Sequence, residues 1–408
     1  MPPNLRIALR FLTARRRSML MSLAGIVFGV GFFIVTQAQT GGFEQFFIRT
    51  ILGTNGALRI EDRLRPTLFA ADAAAGVTLG LAPQGGIEDP ERVAEAVRQF
   101  RNVTGAAVVL LGGAAITGAT GSDPLARVFG INLDDQLAVS DLRGQVSRGD
   151  LTDFRRAPDG ALLGGVLAGR LGLGVGDAFL LDSGGGPRRY RVSAIYETGV
   201  NDIDRVRVYL HLREARSLLR RPTGASFLQV GLLDPDRAPA DAAQIQAVTG
   251  HAVTTWQQRE KTWLEVFRAL RVSSAITVST IILVAGLGMF NTLAMLVLEK
   301  TREIAILRAT GHTRRDIAEI FLWQGALVLV AGTALGCLFG AGATWAVSRL
   351  PIRIRGIFSA DSFVVEWSPW HYVTAAATAT VVVLAASWVP ARRAARLEPG
   401  EVIRGNAQ

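Results

Sequence analysis

The sequence predicts an α-helical membrane protein with four transmembrane helices and a large α+β extracytoplasmic domain inserted between helices 1 and 2. Three observations carry this. Only 19% of the 408 residues are charged, and the mean hydropathy of +0.30 is high for a water-soluble chain of this size. The stretch Val272 to Leu298 holds no charged residue; at 1.5 Å per residue it spans about 40 Å, more than a ~30 Å hydrocarbon core. From Gly41 to Leu270, by contrast, no apolar run reaches membrane length.

The net charge of +10 and a pI near 10.8 raise the question of nucleic acid. Most of the base is arginine beside apolar spans, with no basic stripe interleaved with aromatics, so nucleic acid is not expected as a partner. The single cysteine, Cys337, excludes an intrachain disulfide. Leu335-Gly336-Cys337 mimics the end of a lipobox but lies far from the N-terminus.

Taken in order, residues 1–17 read as a cytoplasmic interfacial helix, with Leu5, Leu9 and Leu12 near one face and Arg6, Arg10 and Arg15–Arg17 supplying base. Residues 18–40 form the first span. The run from Ser18 to Ala38 exceeds a signal-peptide core, and Thr36-Gln37-Ala38 is a poor cleavage site, so a retained anchor is expected. Gly25 and Gly29 are spaced to admit a second helix closely, although glycine is also simply common in such spans.

The domain at 41–270 alternates short elements. Ala57–Glu61, Ala106–Thr117, Asp177–Asp182, Arg188–Thr198, Val206–Leu210 and Phe227–Asp234 read as strands. Pro90–Phe100, Ala161–Leu171, Leu212–Leu219 and Asp241–Val248 read as helices, and Gly184 to Pro187 as a hairpin loop. Arg259–Leu270 is expected to run as helix straight into the second span, 271–298.

Residues 299–316 are too polar for lipid, yet Ile304, Ile306 and Leu307 alternate with Arg302, Glu303 and Arg308, as in a short amphipathic helix pressed onto something at the surface. The third span covers 317–349. A loop at 350–370 carries interfacial Trp367 and Trp370; the fourth span covers 371–391, closed by Pro390 and Arg392-Arg393, and 392–408 is a tail. Five arginines precede the first span, five basic residues lie in 299–316 and four in the tail. Although Arg349, Arg353 and Arg355 lie on the other side, the sum places both termini and 299–316 in the cytoplasm and the large domain outside.

The residues hold little catalytic chemistry. His211, His251, His312 and His371 show no metal spacing. Gly164 to Arg170 has the glycine spacing of a phosphate loop, but Arg170 stands for the lysine and Leu171 for the Mg²⁺-binding hydroxyl; small-residue packing is the better reading. The polar span residues Ser273, Ser274, Thr277, Ser279, Thr280, Asn291 and Gln324 include no ionisable group, which fits interhelical hydrogen bonds better than ion coupling. Energy must then come from another molecule, and 301–316 is the evident place to receive it.

Thr301-Arg-Glu-Ile-Ala-Ile-Leu-Arg-Ala-Thr-Gly311, between two apolar spans, resembles the signature of the FtsX-like/MacB-type ABC transporter permease superfamily. Gly42-Phe43-Glu44, Ile51-Leu52, Val103 to Ala106, Gly130-Ile131, Leu163 to Asp177, Tyr196 to Asp204, Val208-Tyr-Leu210 and Leu212–Leu219 extend the resemblance along most of the chain, towards its lipoprotein-releasing (Lol-type) branch. Pro66–Gly86 matches nothing in that pattern.

The resemblance implies a bacterial inner-membrane permease subunit with its large domain in the periplasm and no nucleotide site or cofactor of its own. ATP and Mg²⁺ would be bound by a cytoplasmic ABC ATPase dimer, and a second permease chain, identical or homologous, would complete the complex. Arg302, Glu303, Ile304, Ile306, Leu307, Arg308, Thr310, Gly311, His312 and Arg315 would meet the ATPase. Phe28, Phe32, Phe33, Leu287, Met289 and Phe290 would line a cavity for lipoprotein acyl chains, with membrane lipid around it and a periplasmic lipoprotein carrier as a further partner. Two alternatives share these features: a permease-like transmitter that transports nothing and activates a periplasmic hydrolase, and an exporter of another amphipathic substrate.

Overall fold

The computed structural model describes residues 6–8, 16–62, 67–69, 78–80, 86–350, 352–354, 358–360 and 363–397. Most of the predicted 1–17 helix, the tail beyond 397 and most of Pro66–Gly86 lie outside them. The chain divides into two compact units. One takes Met1–Gln45, Glu265–Pro351 and Ser362–Gln408; the other takes Phe46–Leu264 and Ile352–Asp361.

Four helices are long and apolar enough to cross a membrane: Arg16–Asn55, Lys261–Glu299, Arg314–Ser348 and Pro369–Ala395. The first two outrun the apolar stretches 18–40 and 271–298 from which they were anticipated. Hydropathy ends where polar residues such as Gln37, Gln39 and Thr40 begin, but these residues do not stop a helix. Pro390 does not end the fourth helix either, which continues to Ala395. Proline forfeits one backbone bond, and Pro390 is buried beside Ala391 and Ala394 of the bundle core.

Glycine sets how closely these helices meet. A Cβ at Gly29 would stand 3.0 Å from the Ile282 side chain, and one at Gly25 3.1 Å from that of Ala285, so the anticipated small-residue pair receives the second helix. On the third helix Gly332, Gly336 and Gly340 face Ile26, Val30 and Ile34 of the first. Gly286 of the second helix meets Val382 of the fourth, and Gly325 of the third meets Ser387 of the fourth. The four helices thus form a ring, first to second to fourth to third, around a core that includes Ile282, Met289, Leu293, Phe321 and Val383.

The second unit is built on a ten-stranded mixed sheet. Its strands are β1 (Leu58–Glu61), β2 (Val103–Thr117), β3 (Ser122–Ile131), β4 (Val146–Gly149), β5 (Gly160–Gly164), β6 (Ala178–Asp182), β7 (Arg188–Tyr196), β8 (Arg207–His211), β9 (Phe227–Leu232) and β10 (Ala252–Thr255). The order is β10-β1-β9-β2-β3-β8-β5-β7-β4, with β6 pairing β2 and β7. Pairs β3–β8 and β5–β7 are parallel and the rest antiparallel.

Two apolar cores lie against the half of the sheet around β8, and a third, with Leu58, Val108, Leu228, Ile245 and Trp256, against β1, β9 and the start of β2. All six anticipated strands form, and Gly184 to Pro187 joins β6 to β7 as a hairpin. The anticipated helix Ala161–Leu171 divides: Gly160–Gly164 is a strand buried on both faces, and only Gly165–Leu171 is helical. A continuous apolar run is common to buried strand and buried helix, so periodicity could not separate them.

Candidate functional site

The charged segment after the second helix forms a nine-residue helix, Thr301–Ala309. Gly311, at φ +105°, turns the chain, and the His312 amide donates to the Leu307 carbonyl. Thr313 then caps the third long helix reciprocally: its hydroxyl accepts from the Asp316 amide, and the Asp316 carboxylate accepts from the Thr313 amide. Arg315 and Asp316 therefore belong to the third helix, not to the short one.

One face of the short helix is anchored. Ile304 is buried in the bundle core, which also holds Leu296, Ile317 and Phe321; Ala305 is buried beside it and Leu307 packs at the edge of that core. This corrects the assignment of Ile304 to a partner surface: a nine-residue helix stays folded by burying an apolar face, and Ile304 is that face. Arg302, Glu303, Ile306, Thr310, Gly311 and Arg315 are exposed, while Arg308 and His312 are half-buried. Glu303 pairs with Lys300 one turn earlier. Ile306, 55% exposed, is an apolar side chain on the outer face beside charges of both signs.

The six residues anticipated as cavity lining separate in the same way. Phe32 and Leu287 are more than half exposed, and Phe290 is half-buried. Phe28 is also exposed, with its ring edge-on to Phe339 of the third helix at 5.3 Å. Phe33 and Met289 instead point into the chain's own core, because each is one residue, about 100° of helix, away from an outward neighbour. Met21, Ile281, Leu283 and Val284 are outward residues of the same two helices that sequence reading passed over.

The polar span residues hold a further correction. Thr277 and Thr280 donate to carbonyls of their own helix, those of Ser273 and Ile276. Ser274 bonds Gln37 of the first helix at 3.3 Å, and the Ser22 and Thr292 hydroxyls of the first and second helices lie 3.0 Å apart. In the sheet unit, Gly164 and Gly165 of the stretch Gly164 to Arg170 face protein, the first Asp204 and the second Glu197. A Cβ at Gly164 would stand 2.2 Å from the Asp204 carbonyl oxygen, and Arg170 is bonded to the Asp123 carboxylate at 2.9 Å.

Asp204 itself is buried, its carboxylate accepting from the Thr198 amide and hydroxyl. Burial pushes its pKa up to about 6, against the pull of those hydrogen bonds. Beside it the Arg207 guanidinium lies 4.2 Å over the Phe129 ring and donates to Tyr209 Oη and Asn55 Oδ1, each at 3.0 Å. Among the described residues, no three His, Cys, Asp or Glu side chains come together as a metal site.

Comparison with known families matches the MacB-like periplasmic core domain to residues 19–248, more than half the chain, and the FtsX-like permease C-terminal region to residues 275–399. The chain belongs to the MacB-type, FtsX-like ABC transporter permease family. The periplasmic core match begins in the first long helix and takes in most of the sheet unit; the FtsX-like match covers the short helix and the long helices around it.

Among relatives in this family, the lipoprotein-releasing system transmembrane protein LolC of Xylella fastidiosa is 27% identical over 435 residues, covering 99% of each chain. LolC of Neisseria meningitidis serogroup B is 26% identical over 436 residues, covering 98% of each. The macrolide export ATP-binding/permease protein MacB of Psychrobacter arcticus is 34% identical over 134 residues, 33% of this chain and 19% of that one.

Proposed function

We propose that this chain is the permease subunit of a LolC-type ABC complex, in which a separate cytoplasmic ATPase drives the removal of lipoproteins from the inner membrane towards the outer membrane. The observation that carries the proposal is the short helix Thr301–Ala309: one face locked into the bundle through Ile304, the other offering Arg302, Glu303 and Ile306. Such a helix transmits displacement, because force applied to its outer face is passed to the two long helices at its ends. Relatives named LolC that align over almost the whole length favour lipoprotein as cargo. The outward Phe32 and Leu287, with half-buried Phe290, offer acyl chains an apolar surface, which a second permease chain would close into a cavity.

Photo-crosslinking in native membranes tests this, with the probe at Phe32 or Phe290 and at inward Met289 as control. The expected result is a set of acylated lipoprotein adducts from the first two positions only, lost when the ATPase is held in its ATP-bound state. Adducts to phospholipid alone, whatever the nucleotide, would overturn the cargo assignment and favour a transmitter that moves nothing.

A further inference from the structure

In the helical unit, four buried polar side chains lie within about one helical turn of each other along the bundle, one from each long helix: Ser22, Thr292, Gln324 and Ser387. Gly332 against Ile26 sets Ser22 opposite Val328, one turn from Gln324. Ser22 and Thr292 share a hydrogen bond, and Gly325, next to Gln324, lies against Ser387. The second and fourth helices run in the same direction with Gly286 beside Val382, which brings Ser387 level with Asn291, the neighbour of Thr292. Leu296, Ile304, Ile317 and Phe321 belong to the core next to this layer, towards the short helix.

Three of the four hydroxyl or amide side chains are bonded. Thr292 donates to the Gly288 carbonyl, Ser387 donates to the Val383 carbonyl, and Ser22 pairs with Thr292. Gln324 is fully buried, and neither its amide nitrogen nor its carbonyl oxygen meets a hydrogen-bond partner. A buried amide in this condition destabilises the packing that contains it, and leucine or methionine would occupy the same space without that cost. A residue that is unfavourable in one packing is accounted for if it is favourable in another.

We propose that Gln324 is a positioning residue for energy transfer, unpaired in the packing seen here and paired with Ser387 Oγ in a second packing reached when the short helix Thr301–Ala309 is displaced. Ser387 Oγ, already donating to Val383, keeps lone pairs to accept from the Gln324 amide. The helices meet there at Gly325, whose missing side chain leaves a smooth contact along which the third helix can slide past the fourth. The second packing rests on the proposed coupling to an ATPase; the cost of the unpaired amide does not.

The test uses the full chain with its ATPase in native membranes and two variants, Gln324→Leu and Gln324→Met. The sole cysteine, Cys337, is half-buried on the same helix and reports the packing through its rate of modification by a membrane-permeant maleimide. In the wild type this rate should differ between nucleotide-free and ATP-bound states. Both variants should unfold about 2 °C higher and lose that difference. A lower unfolding temperature in both variants would show that the amide is satisfied here and overturn the proposal. So would a nucleotide-dependent rate that persists in the variants, or a wild-type rate indifferent to nucleotide. A switch present in the wild type and lost in the variants, with no lipoprotein released by either, would uphold the role of Gln324 and remove the cargo assignment instead.

Discussion

Gly42 lies directly against the backbone of Val364: a Cβ at position 42 would stand 2.3 Å from the Val364 carbonyl oxygen and 2.5 Å from the Val365 Cα. One turn earlier, the Glu366 amide donates to the Ala38 carbonyl oxygen at 2.9 Å, so residues 364–366 form a strap bonded across the first helix. The neighbouring Gly41 faces the end of the Glu366 side chain. Gly42→Ala pushes on main chain that cannot yield, whereas Gly41→Ala pushes on a carboxylate that can swing away. The first should cost about 1–3 kcal/mol and the second under about 1 kcal/mol, read as a larger fall in the unfolding temperature of the full chain for Gly42→Ala.

Asp204 gives the sheet unit a pH dependence of definite sign. Its folded pKa of about 6 lies above the ordinary 3.8, burial being the main cause and the nearby Glu197 charge adding to it. The folded state therefore holds this proton more tightly than the unfolded chain. Its contribution to stability is full below about pH 3.8 and is lost as pH rises through about 6. Asp204→Asn keeps an acceptor for Thr198 and removes the titration. Between pH 5 and 7.5 the wild type should lose about 1.4 kcal/mol of stability relative to this variant. Parallel pH profiles of unfolding temperature would contradict the assignment.

Arg207 connects the end of the first long helix to strand β8 and its aromatic neighbours through Asn55, Tyr209 and Phe129. Lysine cannot reproduce this arrangement, since it has no planar fork to stack on one ring and bond two partners. Arg207→Lys should therefore cost nearly as much as Arg207→Ala, about 2–4 kcal/mol. In a double-mutant cycle with Asn55→Ala, the coupling energy should reach about 1 kcal/mol or more. A coupling energy near zero would show that the Asn55 bond contributes nothing.

How far these features were legible depended on the period of the pattern that carried them. The four spans were readable because lipid demands an apolar run of fixed length, and Val272 to Leu298 supplies one without a break. The helix continuing to Asn55 was not, because Arg49, Thr50, Thr54 and Asn55 break the apolar run without stopping a helix. Strand β3 escaped because Pro124 interrupts its pattern. At the site, composition identified the short helix but not which way it faces, since Ile304 and Ile306 are equally apolar. Phe32 and Phe33 posed the same problem on the first span. The unpaired state of Gln324 has no sequence signature at all, because it depends on which side chains three other helices bring to it.

The difference between Ile304 and Ile306 separates the structural from the docking role of the short helix. Ile304 is fully buried in the bundle core and Ile306 is 55% exposed, two residues further on. Ile304→Ala leaves a cavity and should lower stability by about 2–4 kcal/mol, while the outer face proposed to meet an ATPase keeps its chemistry. Ile306→Asp changes a side chain already in water, so stability should move by less than about 0.5 kcal/mol. The exposed charges around it remain, but its apolar contact is replaced by a carboxylate that must be desolvated on docking. Copurification of the ATPase from detergent extracts should therefore survive Ile304→Ala, wherever that variant folds, and fall at least tenfold with Ile306→Asp. Retained copurification in Ile306→Asp would place the ATPase contact elsewhere, and the exposed third-helix residues Arg314 and Arg315 would be the next positions to change.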